Sequence, residues 1–597
     1  VKMKNMKNVL IKIRNGVREH YWIIILSFLL TILIFTPLMV FPYVIKNEYR
    51  GININHFGAD AHFYLSRARE VLDGHGLGSP WLREGKNDAD TLSSYADYIL
   101  LAPIKLLGLE QKVDLVAVYN IYNFIGVVFI ILMIYFFVYQ LAGKKLLAAA
   151  AALAVVGGYS IIFHKTLFYN DSNIYLRVIV PYFSSLIFFI YLNLLVKTLK
   201  SAELRYSIFS ALVFGLLFYI YFFAWSFVLA LNASLFLVLL VKKDFASMRK
   251  VLFISLAGLA LGFYTLTGLL VLLGSSYGKQ ASYFIMMSFG HQPVFSKIGF
   301  ITLILLCVYW YKKRDDPNLP FILAIILSGW AALNQQIITG RMIQYGHYYW
   351  YYVVPLSIIM SFYLIWQLIE NEKLKKYLFI FIILVVFVNT AGGQYRSFFA
   401  TLEPKKYEQN FRPLIDYLNR DTRPAVILAV EGANENLFTI YTPHDLFWNS
   451  AILTNNISIQ RIKDTLFVYS YLNKEIRNNF KDYFTVADNN KSQAAFYLSF
   501  YRSLEGYWSG LAVAEYNEKI KNNDPALSQN RPATIGELNK EYDEVLKNNG
   551  IAKLLNQYGA NYIVWDKNIN PEWDLSALPD FKPVLSSNNI YLYGLAN

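Results

Sequence analysis

The first residues whose types and spacing could do chemistry follow a long apolar run near the start of the chain. They are His56-Phe-Gly-Ala-Asp60-Ala-His62-Phe-Tyr64, continuing through Arg67, Arg69 and Glu70 to Gly74 and Gly76. Tyr64, Ala68 and Leu72 recur at four-residue steps, which predicts one face of a helix that ends at the glycines. A carboxylate at the mouth of such a helix, close to a membrane surface, is placed to take a proton from a substrate lying partly in lipid. Asp60 would serve equally as the helix N-cap, and residue type alone leaves both roles open.

Two further segments carry reactive or anion-binding side chains. His164-Lys165 leads through Tyr169-Asn170-Asp171-Ser172-Asn173 to Tyr175 and Arg177, an oxygen-rich stretch of the kind that also builds turns and caps. Asn334-Gln335-Gln336 leads to Arg341, and then to His347 and the aromatic run 348–352 that begins with Tyr348. A guanidinium binds phosphate bidentately, so Arg341 and Arg177 are candidate phosphate ligands, and His347 and Tyr348 could line a sugar or lipid site. The competing reading of Arg341 and its aromatics is an interfacial belt with a snorkelling arginine. The sequence has no Gly-rich phosphate loop ending in Lys-Ser/Thr, no His-Glu-x-x-His and no Gly-x-Ser-x-Gly, which removes P-loop ATPases, zincins and α/β-hydrolases.

The elements that must position these residues are membrane helices. Of 597 residues, 56% are hydrophobic and only 16% charged, against roughly 25% charged in soluble domains. Eleven segments approach the roughly 20 apolar residues that cross a bilayer: 21–44, 115–141, 146–163, 178–197, 206–222, 223–241, 251–274, 298–311, 319–339, 347–369 and 377–394. Residues 95–109 are apolar but short, and read as a re-entrant or interfacial helix. The first segment shows no small-residue cleavage site, so it is expected to stay as a helix. Cys307 is the single cysteine, so no intrachain disulfide or thiolate metal site can form.

The net charge of +14 is unevenly spread: the chain from Tyr395 onward has 21 Lys+Arg and 23 Asp+Glu, and the part before it 34 and 18. The basic excess sits in the tail before residue 19 and in short loops near 144, 200, 246, 313 and 374. That is the positive-inside pattern rather than a nucleic-acid surface. It predicts a cytoplasmic N-terminus and places loops 45–94, 164–177 and 275–297, the turn 339–346 and the C-terminal region on the opposite, outer side. Residues 1–394 then form a transmembrane domain, and 395–597 an extracytoplasmic α/β domain in which 425–430 (AVILAV) and 561–565 (NYIVW) are buried strands preceded by helices.

The Asp60 segment, with Tyr64 four residues on and a Gly-x-Gly-Leu ending, resembles the first outer loop of the GT-C superfamily of polytopic glycosyltransferases. The basic start, the many spans and the external C-terminal domain are similar to that family too. The resemblance implies a GT-C-like fold and a sugar donor carried on polyprenyl phosphate. It also implies an inverting transfer to a glycan, lipid or protein acceptor, with Asp60 as base. Oligosaccharyltransferase catalytic subunits carry an acidic, cation-binding element where this chain has Asn170-Asp171, and by that resemblance Asp171 is a candidate ligand for Mg or Mn. The third outer loop has no Asp or Glu, and the segment after 414–430 reads Glu431-Gly432-Ala433-Asn434 rather than the Trp-Trp-Asp of those subunits, which argues against their Asn-x-Ser/Thr acceptor. Segments 441–445 and 505–508 are candidate acceptor contacts or ordinary turn and core. The alternative function is a lipid-linked glycan flippase or secondary transporter, which would place ionisable groups at the bilayer midplane. The expected setting is a plasma membrane.

Overall fold

A computed structural model describes residues 2–596 except 56–59, 89–93, 111, 276–286, 430–433, 455–456, 487–491, 512 and 523. His56, residues 276–286 of the 275–297 loop and residues 431–433 therefore lie outside the described residues. Helix occupies most of each of the eleven apolar segments, with breaks at 158, 178–181, 219–221, 262 and 334–335. Seven helices are long and apolar enough to cross a bilayer, Arg14–Glu48, Leu115–Ala142, Tyr182–Lys200, Phe222–Val241, Leu319–Thr339, Tyr345–Leu368 and Glu372–Leu418, and a pair bent by 58°, Phe245–Leu261 and Phe263–Leu272, makes up to eight. Lys145–Gly157, Leu204–Phe218 and Lys297–Lys312 are shorter. Helix is the form these segments must take, because in hydrocarbon a chain segment has to satisfy its own backbone hydrogen bonds. The chain is a multi-pass membrane protein.

The bundle has two distinct ends. At one, the basic loops knit the helices together: Lys145 Nζ meets Glu19 at 3.2 Å, Lys250 Nζ donates to the Thr198 and Ser201 carbonyls at 3.1 and 2.7 Å, and Asn318 donates to the Leu141 carbonyl at 3.1 Å. At the other end lie the first long loop, the 164–177 loop, the break between Leu204–Phe218 and Phe222–Val241, and the C-terminal domain. The short helix Ala96–Leu106 sits there, with Leu106 and Leu107 strongly exposed, as an interfacial helix would leave them.

Where helices approach closely, glycine makes it possible. A Cβ on Gly258 would stand 2.1 Å from Phe214 Cδ1, one on Gly262 2.3 Å from Phe218 Cγ, and one on Gly215 2.6 Å from Leu261 Cβ. Leu204–Phe218 therefore packs on Phe245–Leu261 through a seam of small residues, a common device in membranes. Gly258→Val should overpack this seam and lower stability by about 1–3 kcal/mol. Thermal unfolding in detergent checks it, and an unchanged transition would refute the close contact.

The C-terminal domain is α/β. Its sheet has the order β4-β3-β5-β7-β6, formed by β3 Val426–Ala429, β4 Asp445–Leu446, β5 Ala560–Asp566, β6 Phe581–Ser587 and β7 Ile590–Leu595. Strand β3 runs parallel to β4 and β5, whereas β7 is antiparallel to β5 and β6. All four β3 side chains are buried, as a continuous apolar run covered on both faces requires. A second, two-stranded sheet pairs β1 Met287–Phe289 with β2 Arg341–Ile343, antiparallel. The helix Glu372–Glu408 runs unbroken from the bundle into the C-terminal domain.

Candidate active site

Asp60 is the first residue of the helix Asp60–Asp73, and it ends up beside Arg177, 117 residues later. Asp60 Oδ2 and Arg177 Nη2 are 2.8 Å apart; the carboxylate side chain is 51% exposed and the guanidinium only 9%. The arginine is held from behind. The carbonyl of Leu176 accepts from Asn55 Nδ2 at 2.7 Å and from Asn123 Nδ2 at 2.6 Å, while Asn173 caps the turn Ile174–Leu176 and donates to the Val156 carbonyl at 2.8 Å. Ile179, two residues on, is fully buried with φ +63°, a left-handed conformation that costs a β-branched residue about 1–3 kcal/mol and that only tight surroundings sustain.

Around the pair stands an aromatic wall. Arg177 Nη1 donates to the Tyr351 hydroxyl, and Arg177 Cζ lies 6.0 Å from the centre of the buried Tyr64 ring. Tyr351 stacks on His347 at 5.2 Å. His347 Nδ1 meets the Tyr221 hydroxyl at 2.5 Å, and the Tyr348 hydroxyl meets Ser226 Oγ at 2.8 Å. The Phe223 ring touches both His347 (4.7 Å) and Tyr348 (4.9 Å), so Asp60, Tyr64, Arg177, His347 and Tyr348 belong to one connected cluster. Burial works against the Arg177 charge, yet the anionic partners around it, the Asp60 carboxylate among them, favour the cation, and its pKa moves up. Burial likewise pushes the Tyr64 phenol up, which keeps it a neutral donor. Arg177 Nε is buried with no acceptor among the described residues, an unused donor inside a charged site.

Arg341 and Asp171 stand apart. The Arg341 side chain is exposed on β2; its carbonyl accepts from Gln335 Nε2 at 2.8 Å, and among the described residues its guanidinium makes no hydrogen bond or ion pair. Asp171 Oδ2 pairs with His164 Nε2 at 2.8 Å, and the His164 ring stacks on Tyr169 at 3.5 Å. The residues present do not fit a Mg or Mn site there. One carboxylate is taken by a histidine and the other, Asp60, by an arginine, and among the described residues no three His, Cys, Asp or Glu side chains converge.

Several members of the site have no obvious mark in the sequence. Tyr221 reads as the tail of an apolar segment, but it is the extended residue (φ −162°, ψ 126°) at which one helix ends and the next begins. Arg67 and Asp97 form a fully buried ion pair of 2.6 Å, with the Tyr119 hydroxyl donating to Asp97 at 3.2 Å. Arg67 Cζ is 5.5 Å from the Tyr64 ring centre. This pair fastens the helix of Asp60 to the interfacial helix and backs Tyr64 with a cation.

The helix of Asp60 is also clamped to the C-terminal domain. Lys86 Nζ lies 2.7 Å from Glu70 Oε2 and 2.6 Å from Asp445 Oδ1, with both carboxylates buried. Ser66 Oγ meets Thr439 at 2.7 Å, Trp81 Nε1 donates to Asn436 at 2.7 Å, and Arg461 reaches Glu84 at 2.7 Å.

Fold and site together define a polytopic membrane protein in which a half-exposed acid, paired to a buried arginine, lies between the helix bundle and an α/β domain. No family model matches the chain and no curated protein is similar to it in sequence. Among solved structures it is similar to the oligosaccharyltransferase of Archaeoglobus fulgidus in the apo form (TM-score 0.46, 11% identity, 92% of this chain and 70% of that one). It is similar to the same organism's oligosaccharyltransferase AglB in complex with an inhibitory peptide and a dolichol-phosphate (0.47, 11%, 97% and 75%). It is also similar to ArnT from Cupriavidus metallidurans bound to undecaprenyl phosphate (0.46, 11%, 74% and 89%).

Proposed function

We propose that the chain is an integral membrane glycosyltransferase. It moves a sugar from a polyprenyl-phosphate-linked donor to a glycan, lipid or protein acceptor on the outer face of the membrane, with inversion. The observation that carries this reading is the Asp60–Arg177 pair: a solvent-reachable carboxylate touching a buried, permanently charged guanidinium at the end of a membrane bundle. In this reading the donor's phosphate lies against Arg177. An acceptor hydroxyl gives its proton to Asp60 as its oxygen attacks the anomeric carbon. The bond from that carbon to the phosphate oxygen breaks, and the negative charge passing to the lipid phosphate is met by Arg177. In this reading Tyr64, His347 and Tyr348 form the wall against which the donor is held. The positive-inside pattern supports the N-terminus in the cytoplasm and the site outside.

The test is sugar transfer from a panel of radiolabelled polyprenyl-phosphate sugars in membranes, with and without EDTA. Transfer that survives EDTA agrees with the donor set described above; its loss would call for ligands beyond these residues. Arg177→Gln should lower kcat/KM about 10²–10³-fold, the usual effect of removing a charge-stabilising donor, and cost about 1.5–3 kcal/mol of stability as Tyr351 loses a charged partner. A variant that folds and transfers at the wild-type rate would remove Arg177 from the reaction. Lipid-linked sugar that binds but is never transferred would sink the enzyme reading as a whole.

A further inference from the structure

The break between the helices Leu204–Phe218 and Phe222–Val241 is held by its neighbours rather than by its own sequence. Residues 216–225 contain no glycine and no proline, the usual local causes of a sharp bend. The carbonyls that the break frees are taken by the first long loop. The Tyr95 N–H donates to the Tyr219 carbonyl at 2.7 Å, and Ser94 Oγ to the Ile220 carbonyl at 2.8 Å. The Tyr219 hydroxyl donates in turn to the Leu261 carbonyl at 2.8 Å. Irregular backbone in a membrane bundle is tolerated where it is satisfied in this way, and it commonly lines a binding site. What this break delivers is Tyr221, only 6% exposed, with its hydroxyl 2.5 Å from His347 Nδ1.

That contact sets the protons of the imidazole. Among the described residues the Tyr221 hydroxyl has no other hydrogen-bond partner, so its hydrogen is satisfied only by donation to Nδ1. Nδ1 is then bare, which makes His347 a neutral ring with its hydrogen on Nε2. The other tautomer, or an imidazolium, would turn two hydrogens on each other and leave the buried phenol's without an acceptor, which native interiors avoid. The ring is held on two sides: Phe223 lies across it at 4.7 Å and Tyr351 along it at 5.2 Å. His347 is only partly buried, and its Nε2 has no acceptor among the described residues. Tyr351 is also the hydroxyl that takes Arg177 Nη1. An oriented, unused N–H is thus separated from the buried guanidinium by a single ring.

We propose that His347 donates its Nε2 hydrogen to an oxygen of the sugar donor's phosphate, beside Arg177, and that Tyr221 is the positioning residue that fixes the tautomer. The inference rests on the glycosyltransferase reading and adds a neutral ligand to it. Such an N–H gains strength as negative charge passes to the phosphate oxygen. It also adds no second cation to hold the departing lipid phosphate in place.

The full chain in detergent is titrated with polyprenyl phosphate that carries no sugar, so that binding is read apart from transfer. A glutamine amide puts its nitrogen where Nε2 stands, and an asparagine amide where Nδ1 stands. His347→Asn should weaken binding about 10–100-fold, the loss of a hydrogen bond to a charged oxygen, whereas His347→Gln should recover most of that loss. A histidine needed only for packing would be harmed alike by both. Tyr221→Phe keeps the ring, removes the hydroxyl and should weaken binding about 3–10-fold. Nitrogen NMR of protein labelled at histidine should show Nδ1 bare and Nε2 protonated in wild type, and both tautomers in Tyr221→Phe. Equal binding by the Asn and Gln variants, or a protonated Nδ1 in wild type, overturns the proposal and leaves the glycosyltransferase reading standing. Wild type that binds no polyprenyl phosphate would sink that reading and this inference together.

Discussion

Asp60→Asn is expected to reduce sugar transfer about 10²–10⁴-fold, the range that a positioned base contributes, while donor binding stays near wild type. The substitution is nearly isosteric, and Asp60 is half exposed, so the fold should survive it. Arg177 would keep its contact to Tyr351 and gain freedom to hold phosphate. Binding and turnover should therefore separate: the amide cannot take the acceptor's proton, but the donor still has its cation. Single-turnover transfer and donor retention, measured side by side, check this. Equal transfer by Asn and Asp at position 60 would leave the activity standing and deny this residue its role. Joint loss of binding and transfer would make Asp60 a structural partner of Arg177.

Lys86→Met is expected to cost about 3–5 kcal/mol, the usual result of withdrawing one partner from a buried ion pair. Glu70 and Asp445, with side chains 7% and 4% exposed, would then face each other across a methionine. His75, 2.6 Å from Glu70, and Arg83, 3.4 Å from Asp445, cannot replace a shared ammonium. Adding Glu70→Gln and Asp445→Asn should restore most of the loss, because the charge that needed a partner is gone. Thermal unfolding of the single and triple variants decides the matter; a single variant that melts with wild type would show the clamp to be idle.

The same lysine gives a pH dependence of known sign. Burial pulls its pKa down, but Asp445 and Glu70 pull it up further, and the net movement is above the ordinary 10.5. A base raised on folding gives stability that is complete below its unfolded value and is lost as pH rises through the raised one. Glu70 is raised by burial, so its ionisation costs stability above the usual carboxylate range and does not add to the alkaline effect. The lysine's contribution should therefore be complete at neutral pH and fall beyond about pH 10.4.

Hydropathy and charge alternation carry the bundle in the sequence itself, since lipid imposes helix on any long apolar segment. They do not carry breaks: residues 206–241 read as nearly continuous, and the extended Tyr221 that supplies a hydroxyl to His347 is invisible within them. Strands β3 and β5 are legible as short apolar runs. The candidate site is legible as residue types but not as pairs. Nothing local says that Asp60 meets Arg177, or that Asp171 meets His164 and leaves a metal without its carboxylate. The Arg341 turn looks as suited to phosphate as Arg177, and only the three-dimensional path sends it to a separate exposed strand. The buried pair of Arg67 and Asp97 is missed for a related reason, because charged residues in a loop are read as solvated until their burial is known.

The clamp also bears on the order of events during synthesis. The helix of Asp60 emerges early, but Ser66 waits for Thr439, 373 residues later, and Trp81 waits for Asn436, 355 residues later. Strand β3 in turn gains its inner neighbour only when β5, at residues 560–566, has been made. Contacts so distant form late. The ribosome must therefore finish most of the chain before the clamp can close, so a nascent or prematurely ended molecule has the helix of Asp60 held from the bundle side alone.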